Sequence, residues 1–257
     1  MLLTIDIGNT NITLGLWDGH VWQRQWRLST VHEKTADEYG LLLRGLLAEA
    51  GETAVIDHVI FCSVVPVLSQ TFIQASQRYL ACNPIEAGIH LDLGIQILTD
   101  NPTAVGADRL VNALAAHKLW GEPAIIVDMG TATKLDVVTA AGAFVGGVIA
   151  PGLRLAADAL SGRAAKLSHV ALEAPPHTLG RNTIHAMQSG LIFGYVSLIE
   201  GLLQRLQQEH PDQQRPIRVI GTGGLIDLIT PHTTAITHVD PWLTLTGLRL
   251  IHERLTR

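Results

Sequence analysis

Asp6 ends an apolar run, Leu2-Leu3-Thr4-Ile5, and is followed by Ile7, Gly8, Asn9, Thr10, Asn11, Ile12 and Thr13. A strand that only filled a core would gain nothing from a carboxylate, a glycine and three small polar groups in succession. A turn that receives a ligand would. Glycine adds no Cβ, so backbone amides can come close to a bound group, and amide-lined turns attract anions, phosphate in particular. The aspartate adds the opposite sign, which suits a hydrated Mg2+ held beside phosphate. The stretch Ile126-Val127-Asp128-Met129-Gly130-Thr131-Ala132-Thr133 repeats the design. One such turn reads as an ordinary polar turn. Two, at matching places in two matching units, read as a clamp for nucleotide phosphates. A third glycine turn, Gly221-Thr222-Gly223-Gly224, is predicted between a strand and a helix, where Gly223 and Gly224 let a flat ring lie against backbone. The fourth element is Gly106-Ala107-Asp108-Arg109 at a helix start. An acidic residue there can simply complement the helix dipole. It can also orient an attacking hydroxyl and accept its proton, while the guanidinium beside it binds a carboxylate or the transferring phosphoryl group. No GxxxxGK[ST] loop is present, which argues against the P-loop class.

These residues need strands and helices to carry them. Leu2–Gly8, Asn11–Gly19 and His20–Ser29 read as strands, with Asp18-Gly19 as a hairpin turn. A helix is predicted from Thr35, its N-cap, to Gly51, its C-cap. Asp57–Pro66 reads as a near-continuous apolar run and a buried parallel strand, followed by a helix from about Pro66 to Leu80. Leu91–Leu98 reads as a further strand, and Val105–Gly121 as an amphipathic helix. The pattern then restarts with three strands from Pro123 to Pro151. After them come a helix over Leu153–Leu160, a loop rich in Pro and His to Gly180, and a long helix from Asn182 to Glu209. A strand, glycine turn and helix follow over Arg215–Ile229, then a short strand over Thr234–Asp240 and a closing helix from Pro241. The repeated unit predicts a duplicated α/β architecture with a cleft between its copies. The domains are 1–117 and 118–257, with the closing helix packing back on the first.

The 257 residues are 47% hydrophobic and 16% charged, with a net charge of −5. That composition fits a well-packed protein and argues against duplex DNA or a membrane surface as partner. Cys62 and Cys82 are the only cysteines, which fits reduced, buried thiols and a cytoplasmic location. No uninterrupted apolar run has membrane-spanning length. The twelve histidines show no metal-ligand spacing.

The set DIGNTN, GADR, DMGTAT, GGVIAPG and GTGG, in this order over the whole chain, resembles type III pantothenate kinase. That family belongs to the acetate and sugar kinase/Hsc70/actin superfamily, with two RNase H-like domains. The resemblance implies ATP-dependent phosphorylation of pantothenate, a divalent ion with ATP, a monovalent cation (K+ or NH4+), and a homodimer. By motif, Asp6 to Thr13 is similar to the first ATP-phosphate loop. Asp108 is similar to the proton acceptor, and Gly106 to Arg109 to the pantothenate-binding segment. Asp128 matches the monovalent-cation ligand and Thr131 a second ATP contact. Thr183 matches a pantothenate contact near the dimer interface, and Gly223 and Gly224 the adenosine turn.

Two positions depart from the pattern. Thr99 stands where many members carry a pantothenate-contacting tyrosine. Lys134 stands where many carry a threonine after GTAT. Its ammonium could replace the monovalent cation at Asp128, or it could pair with Asp136 or point into solvent, since strand alternation turns it away from Thr131 and Thr133. A kinase of another small hydroxy compound and a non-catalytic regulator are the competing readings. GADR argues against the first, and intact Asp6, Asp108, Arg109 and Asp128 against the second.

Overall fold

The computed structural model describes residues 1–51, 55–163 and 169–256. The chain divides into two compact units. One comprises Met1–Ile95, Asp100–Ala115 and Leu243–Arg257; the other comprises Gln96–Thr99 and Ala116–Trp242.

In the first unit, β1 (Leu2–Ile7), β2 (Asn11–Trp17) and β3 (Trp22–Ser29) form an antiparallel meander. The turn between β2 and β3 is set by Asp18, whose Oδ1 accepts the N–H groups of His20 and Val21 at 2.7 and 2.8 Å. Helix α1 (Ala36–Glu49) starts at Thr35 with the expected capping box. Gly51 lies one position beyond the C-cap, which is Ala50. Strand β4 (His58–Ser63) pairs parallel with β1, and β5 (Ile85–Glu86) with β4 after α2 (Pro66–Leu80). The sheet order is β3-β2-β1-β4-β5. Alternation sends Leu3, Ile5 and Ile7 to one face, where they pack with Ile12, Leu14, Val59 and Phe61 beneath Tyr39 and Leu43 of α1 and Phe72 of α2. The strand expected over Leu91–Leu98 does not form. Asp92 Oδ1 accepts the Gly94 N–H at 3.0 Å and turns the backbone, and only Ile97 bridges to a strand residue, Phe144.

Helix α3 (Ala107–Trp120) is buried at every residue from Leu110 to Ala116, so it is a core helix rather than an amphipathic one. In the second unit, β6 (Ala124–Met129), β7 (Ala132–Val138) and β8 (Phe144–Pro151) form the second meander. Helix α4 (Leu153–Arg163) follows, and part of the loop expected before Gly180 lies outside the described residues. Helix α5 (Thr183–Glu209) is long and apolar enough to pass a length-and-composition test for a membrane span. Its Leu191, Ile192, Val196 and Ile199 nevertheless sit in the core with Ile125, Val127 and Leu135 of the sheet. Strand β9 (Arg218–Thr222) pairs parallel with β6, and β10 (His238–Val239) with β9. The order β10-β9-β6-β7-β8 repeats that of the first sheet, strand for strand. The helix expected after β9 is absent. Two 3-10 turns, Ile226–Leu228 and Thr230–His232, stand there instead. Pro231 lacks the N–H that a helix interior needs.

Helix α6 (Leu243–Leu255) returns to the first unit and contacts β1, β2 and β4. Leu245 reaches the Gly15 position of β2, so α6 covers the face opposite α1 and α2. Its His252 is buried, with its ring 4.7 Å from that of His58. Burial and the neighbouring His58 hold the His252 imidazole below the ordinary value of 6.5, against an opposing pull from Glu253. His117 of α3 is lowered too, by burial and then by Lys118.

A group whose folded-state value is depressed leaves the unfolded chain to bind protons first as pH falls. The stability from these two neutral histidines is therefore fully present above about pH 6.5 and is lost below it. Denaturant midpoints taken from pH 8 to pH 5 should fall across this window, and His252→Gln should flatten the slope. A midpoint that does not change over that range would count against the burial argument.

Candidate active site

The Asp6 hairpin is held by backbone. Asp6 pairs with Thr13 and Ile7 with Ile12 across β1 and β2. The Gly8 N–H donates to Asn11 O at 3.0 Å, which closes the turn. Thr30 grips it from β3, its N–H on Thr10 O at 3.0 Å and its Oγ1 on Gly8 O at 2.6 Å. Val64 N–H holds Ile7 O from the end of β4 at 3.1 Å. Ile7 and Ile12 are fully buried, so only their backbone serves the turn, while Asn9, Thr10 and Asn11 are exposed. Asp6 is half-buried and faces Cys62, whose Sγ lies 3.5 Å from Oδ1.

Gly106 opens α3 by accepting the N–H groups of Arg109 and Leu110 at 3.1 and 3.4 Å. A Cβ on Gly106 would stand 2.6 Å from Asp108 Oδ1 and 3.5 Å from Val64. The Asp108 carboxylate thus folds back over the helix start, where Oδ1 also accepts the Arg109 N–H at 2.9 Å. Asp108 and Arg109 are both half-buried. The Asp6 turn and the GADR helix start therefore both touch the segment at the end of β4.

The second hairpin repeats the first in the other unit. Asp128 pairs with Lys134 and Met129 with Thr133, and the Gly130 N–H closes on Ala132 O at 3.1 Å. Thr131 is exposed at the tip. Gly223 packs against this hairpin with φ +92°, and a Cβ there would stand 2.6 Å from Asp128 Oδ1 and from Met129 N. Only glycine fits both the space and the angle. Gly224, next to it, is exposed. The turn after β9 thus reaches the Asp128 site without the helix N-terminus expected behind it.

Lys134 Nζ lies 2.8 Å from Asp128 Oδ2, with side chains 14% and 13% exposed. Alternation does turn Lys134 away from the buried Thr133. The register, however, sets Asp128 directly across from it, which overturns the solvent-facing alternative. The pair lies in reduced dielectric, where removing one partner strands the other charge at a cost of about 3–5 kcal/mol.

Thr99 belongs to the Gln96–Thr99 segment of the second unit, and its Oγ1 is buried with no hydrogen-bond partner among the described residues. Thr183 is the first residue of α5, exposed, beside Asn182, whose Oδ1 caps the helix on His185 N at 2.9 Å. It lines a cavity of 770 Å³ with Arg181, Met187, Leu191 and Tyr195. Two groups escaped the sequence reading. One is Cys62, which the parallel pairing of β1 and β4 sets beside Asp6. The other is Asp240, which follows β10 and donates its N–H to Gly221 O at 2.9 Å. Burial raises the Asp240 carboxyl, offset in part by the Trp242 N–H. The apolar-then-carboxylate pattern at the end of a short strand, His238-Val239-Asp240, was the available signal. Among the described residues no three His, Cys, Asp or Glu side chains are placed to hold a metal ion. The half-buried Asp6 carboxylate is an oxygen donor of the kind a hydrated Mg2+ beside phosphate takes.

Comparison with known proteins agrees with this geometry. Residues 2–205 match the family model of type III pantothenate kinase. The type III pantothenate kinase of Anaeromyxobacter sp. (strain K) is 46% identical over 255 residues, covering 99% of each chain. A solved protein from Campylobacter jejuni, described as a Baf family transcriptional activator, matches with TM-score 0.60 and 18% identity over 99% of this chain and 100% of that one. An archaeal actin homologue matches with TM-score 0.52 and 13% identity over 99% of both chains. At such identities these two matches report the fold alone, an actin-like ATPase fold. The family model and the full-length relative go further: this chain belongs to the type III pantothenate kinase family.

Proposed function

We propose that this chain phosphorylates pantothenate to 4′-phosphopantothenate with ATP, the first step of coenzyme A synthesis, and that Asp6 and Asp108 are its working carboxylates. Family membership carries the reaction. The observation that carries the residue assignment is the pair of glycine hairpins, each with an aspartate two residues before the closing glycine. In this reading the amides of Gly8 to Thr13 and the tip at Thr131 bind the phosphates, Asp6 holds a hydrated Mg2+, and Gly223 and Gly224 lie under the adenosine. When bound, the Mg2+ neutralises phosphate charge. Gly106 to Arg109, Thr99 and Thr183 bind pantothenate. Asp108 accepts the proton of the substrate hydroxyl as its oxygen forms a bond to the γ-phosphorus and the bond to ADP breaks. Phosphoryl transfer is often loose, so Asp108 contributes mainly by orienting that hydroxyl.

The resemblance assigns a monovalent cation to Asp128. The Lys134–Asp128 pair supports a protein-borne replacement, since the ammonium already occupies one carboxylate oxygen. Lysine is a compact point charge on a flexible stem, suited to the work of K+ or NH4+. The reading keeps domains of 1–117 and 118–257, with the closing helix on the first; the contacts of α6 with β1 and β4 support the placing of that helix, while Gln96–Thr99 group with the second unit. It is a cytoplasmic homodimer with no nucleic-acid or membrane partner. Exposed Leu160, which lines the cavity with Thr183, and exposed Ile184 next to Thr183 in sequence support a partner chain there.

ADP release should depend on added pantothenate. Asp108→Asn should fold normally and lose about 10²-fold or more in kcat, the scale of general-base catalysis; near-normal turnover would refute the role. In Tris buffer free of K+ and NH4+ the wild type should keep its activity. Lys134→Thr should need K+ for activity and gain melting temperature when K+ is added. Strong activation of the wild type by K+ would sink the replacement. Light scattering at micromolar concentration should give the mass of a dimer, and a monomer mass would defeat that assignment.

A further inference from the structure

We propose that Cys62 is a positioning residue for Asp6. The inference rests on the assignment of Asp6 to the phosphate-bound Mg2+.

The parallel register of β1 and β4 sets Asp6 opposite Cys62. Alternation sends Ile5 and Ile7 of β1, and Val59 and Phe61 of β4, into the core under α1 and α2. Asp6 and Cys62 therefore share the other face. Cys62 is fully buried, while Asp6 is half-buried. The Sγ–Oδ1 separation of 3.5 Å is a hydrogen-bond distance for a thiol donor, and an ionised carboxylate can only accept.

The repeat supplies a second observation. In the other sheet the residue at the matching register position, on β9 beside Asp128, is Thr222, which is 2% exposed. Each aspartate thus has a small buried side chain with one S–H or O–H on its parallel-strand side. The hairpin sides differ: Asp6 faces Thr13 and Asp128 faces Lys134.

A thiol is a weak donor. It can hold the rotation of the Asp6 carboxylate through Oδ1 without cancelling its charge. An ammonium in that place would compete with a divalent ion. The arrangement fixes Oδ1, and with it the plane of the carboxylate that would face a metal-bound water. Partners that orient a metal-holding ligand change metal affinity by about 10–100-fold when removed.

The test compares Cys62→Ala, which removes the donor, with Cys62→Ser, which keeps one. The readouts are the Mg2+ concentration for half-maximal activity, KM for ATP, KM for pantothenate, and Mg2+-dependent nucleotide binding by calorimetry. Cys62→Ala should raise the Mg2+ requirement about tenfold and raise KM for ATP, with KM for pantothenate unchanged. Cys62→Ser should stay near wild type. If Cys62→Ala does not fold, Cys62→Val against Cys62→Ser makes the same comparison. A donor-free variant with a wild-type Mg2+ response overturns the proposal. So does an equal loss in the serine variant, or a matching rise in KM for pantothenate, since either would mean packing alone. Asp6→Asn is run beside them. If it leaves the Mg2+ response unchanged, the assignment of Asp6 itself has failed. If it raises the requirement while the donor-free variant does not, only the role of Cys62 has failed.

Discussion

Two backbone hydrogen bonds organise the chemistry: Gly8 N–H to Asn11 O and Gly130 N–H to Ala132 O. Each forces its chain to reverse within two or three residues of an aspartate. The reversal leaves the tip's amides and hydroxyls at the end of a sheet whose interior is apolar. An ionised group loses hydration in an apolar interior, and the strand ends leave Asp6 and Asp128 half-buried, whereas Asp136 within β7 is fully buried. Asp6 and Asp128 sit at the sheet margin beside the buried Ile5, Ile7, Val127 and Met129. In parallel-stranded α/β folds ligands bind outside the carboxyl ends of the strands, and Asp6, Asp128 and Asp240 all lie at such ends.

The duplication is one of backbone more than of charge. Both sheets have the same strand order, and both aspartates stand at the same register position. Their neighbours have diverged. Asp6 has a thiol at 3.5 Å; Asp128 has an ammonium at 2.8 Å. One scaffold, used twice, thus sets a thiol beside the aspartate of one copy and an ammonium beside that of the other. A nucleotide's phosphates need both a cation to bring and a surface that does not repel them.

Most of this was legible because local signals agreed with the fold. The Thr35 capping box, Asp18-Gly19, the apolar run of β4 and the repeated DxG turns each specify their own element. What was misread depended on partners distant in sequence. The Leu91–Leu98 segment alternates like a strand, yet the Asp92 side chain turns it. The residues after Gly224 are apolar enough for a helix, but Pro231 and short loops reduce them to single turns. Helix α3 seemed amphipathic because its alanines count as neutral on a wheel, whereas packing buries them on every side. Cys62 carried no signal by itself. Only the β1–β4 register made it a neighbour of Asp6. Lys134 could be placed on the correct face by alternation, but its partner required knowing which residue lies across the hairpin.

The return of α6 to the first unit affects how the protein is made. Leu243, Leu245, Leu248 and Ile251 cover one face of the β1–β2–β4 sheet. They follow the whole of the second unit in the chain. As the polypeptide leaves the ribosome, the first sheet, complete at Glu86, can bury its α1–α2 face early but must wait until Leu243 is made, at about 5–20 residues per second, for the other. During those seconds the Thr4–Gly15 face stays uncovered while the second unit forms. Birth order therefore favours the Asp128 unit as the first to be finished, and leaves the Asp6 unit to be completed last by its closing helix.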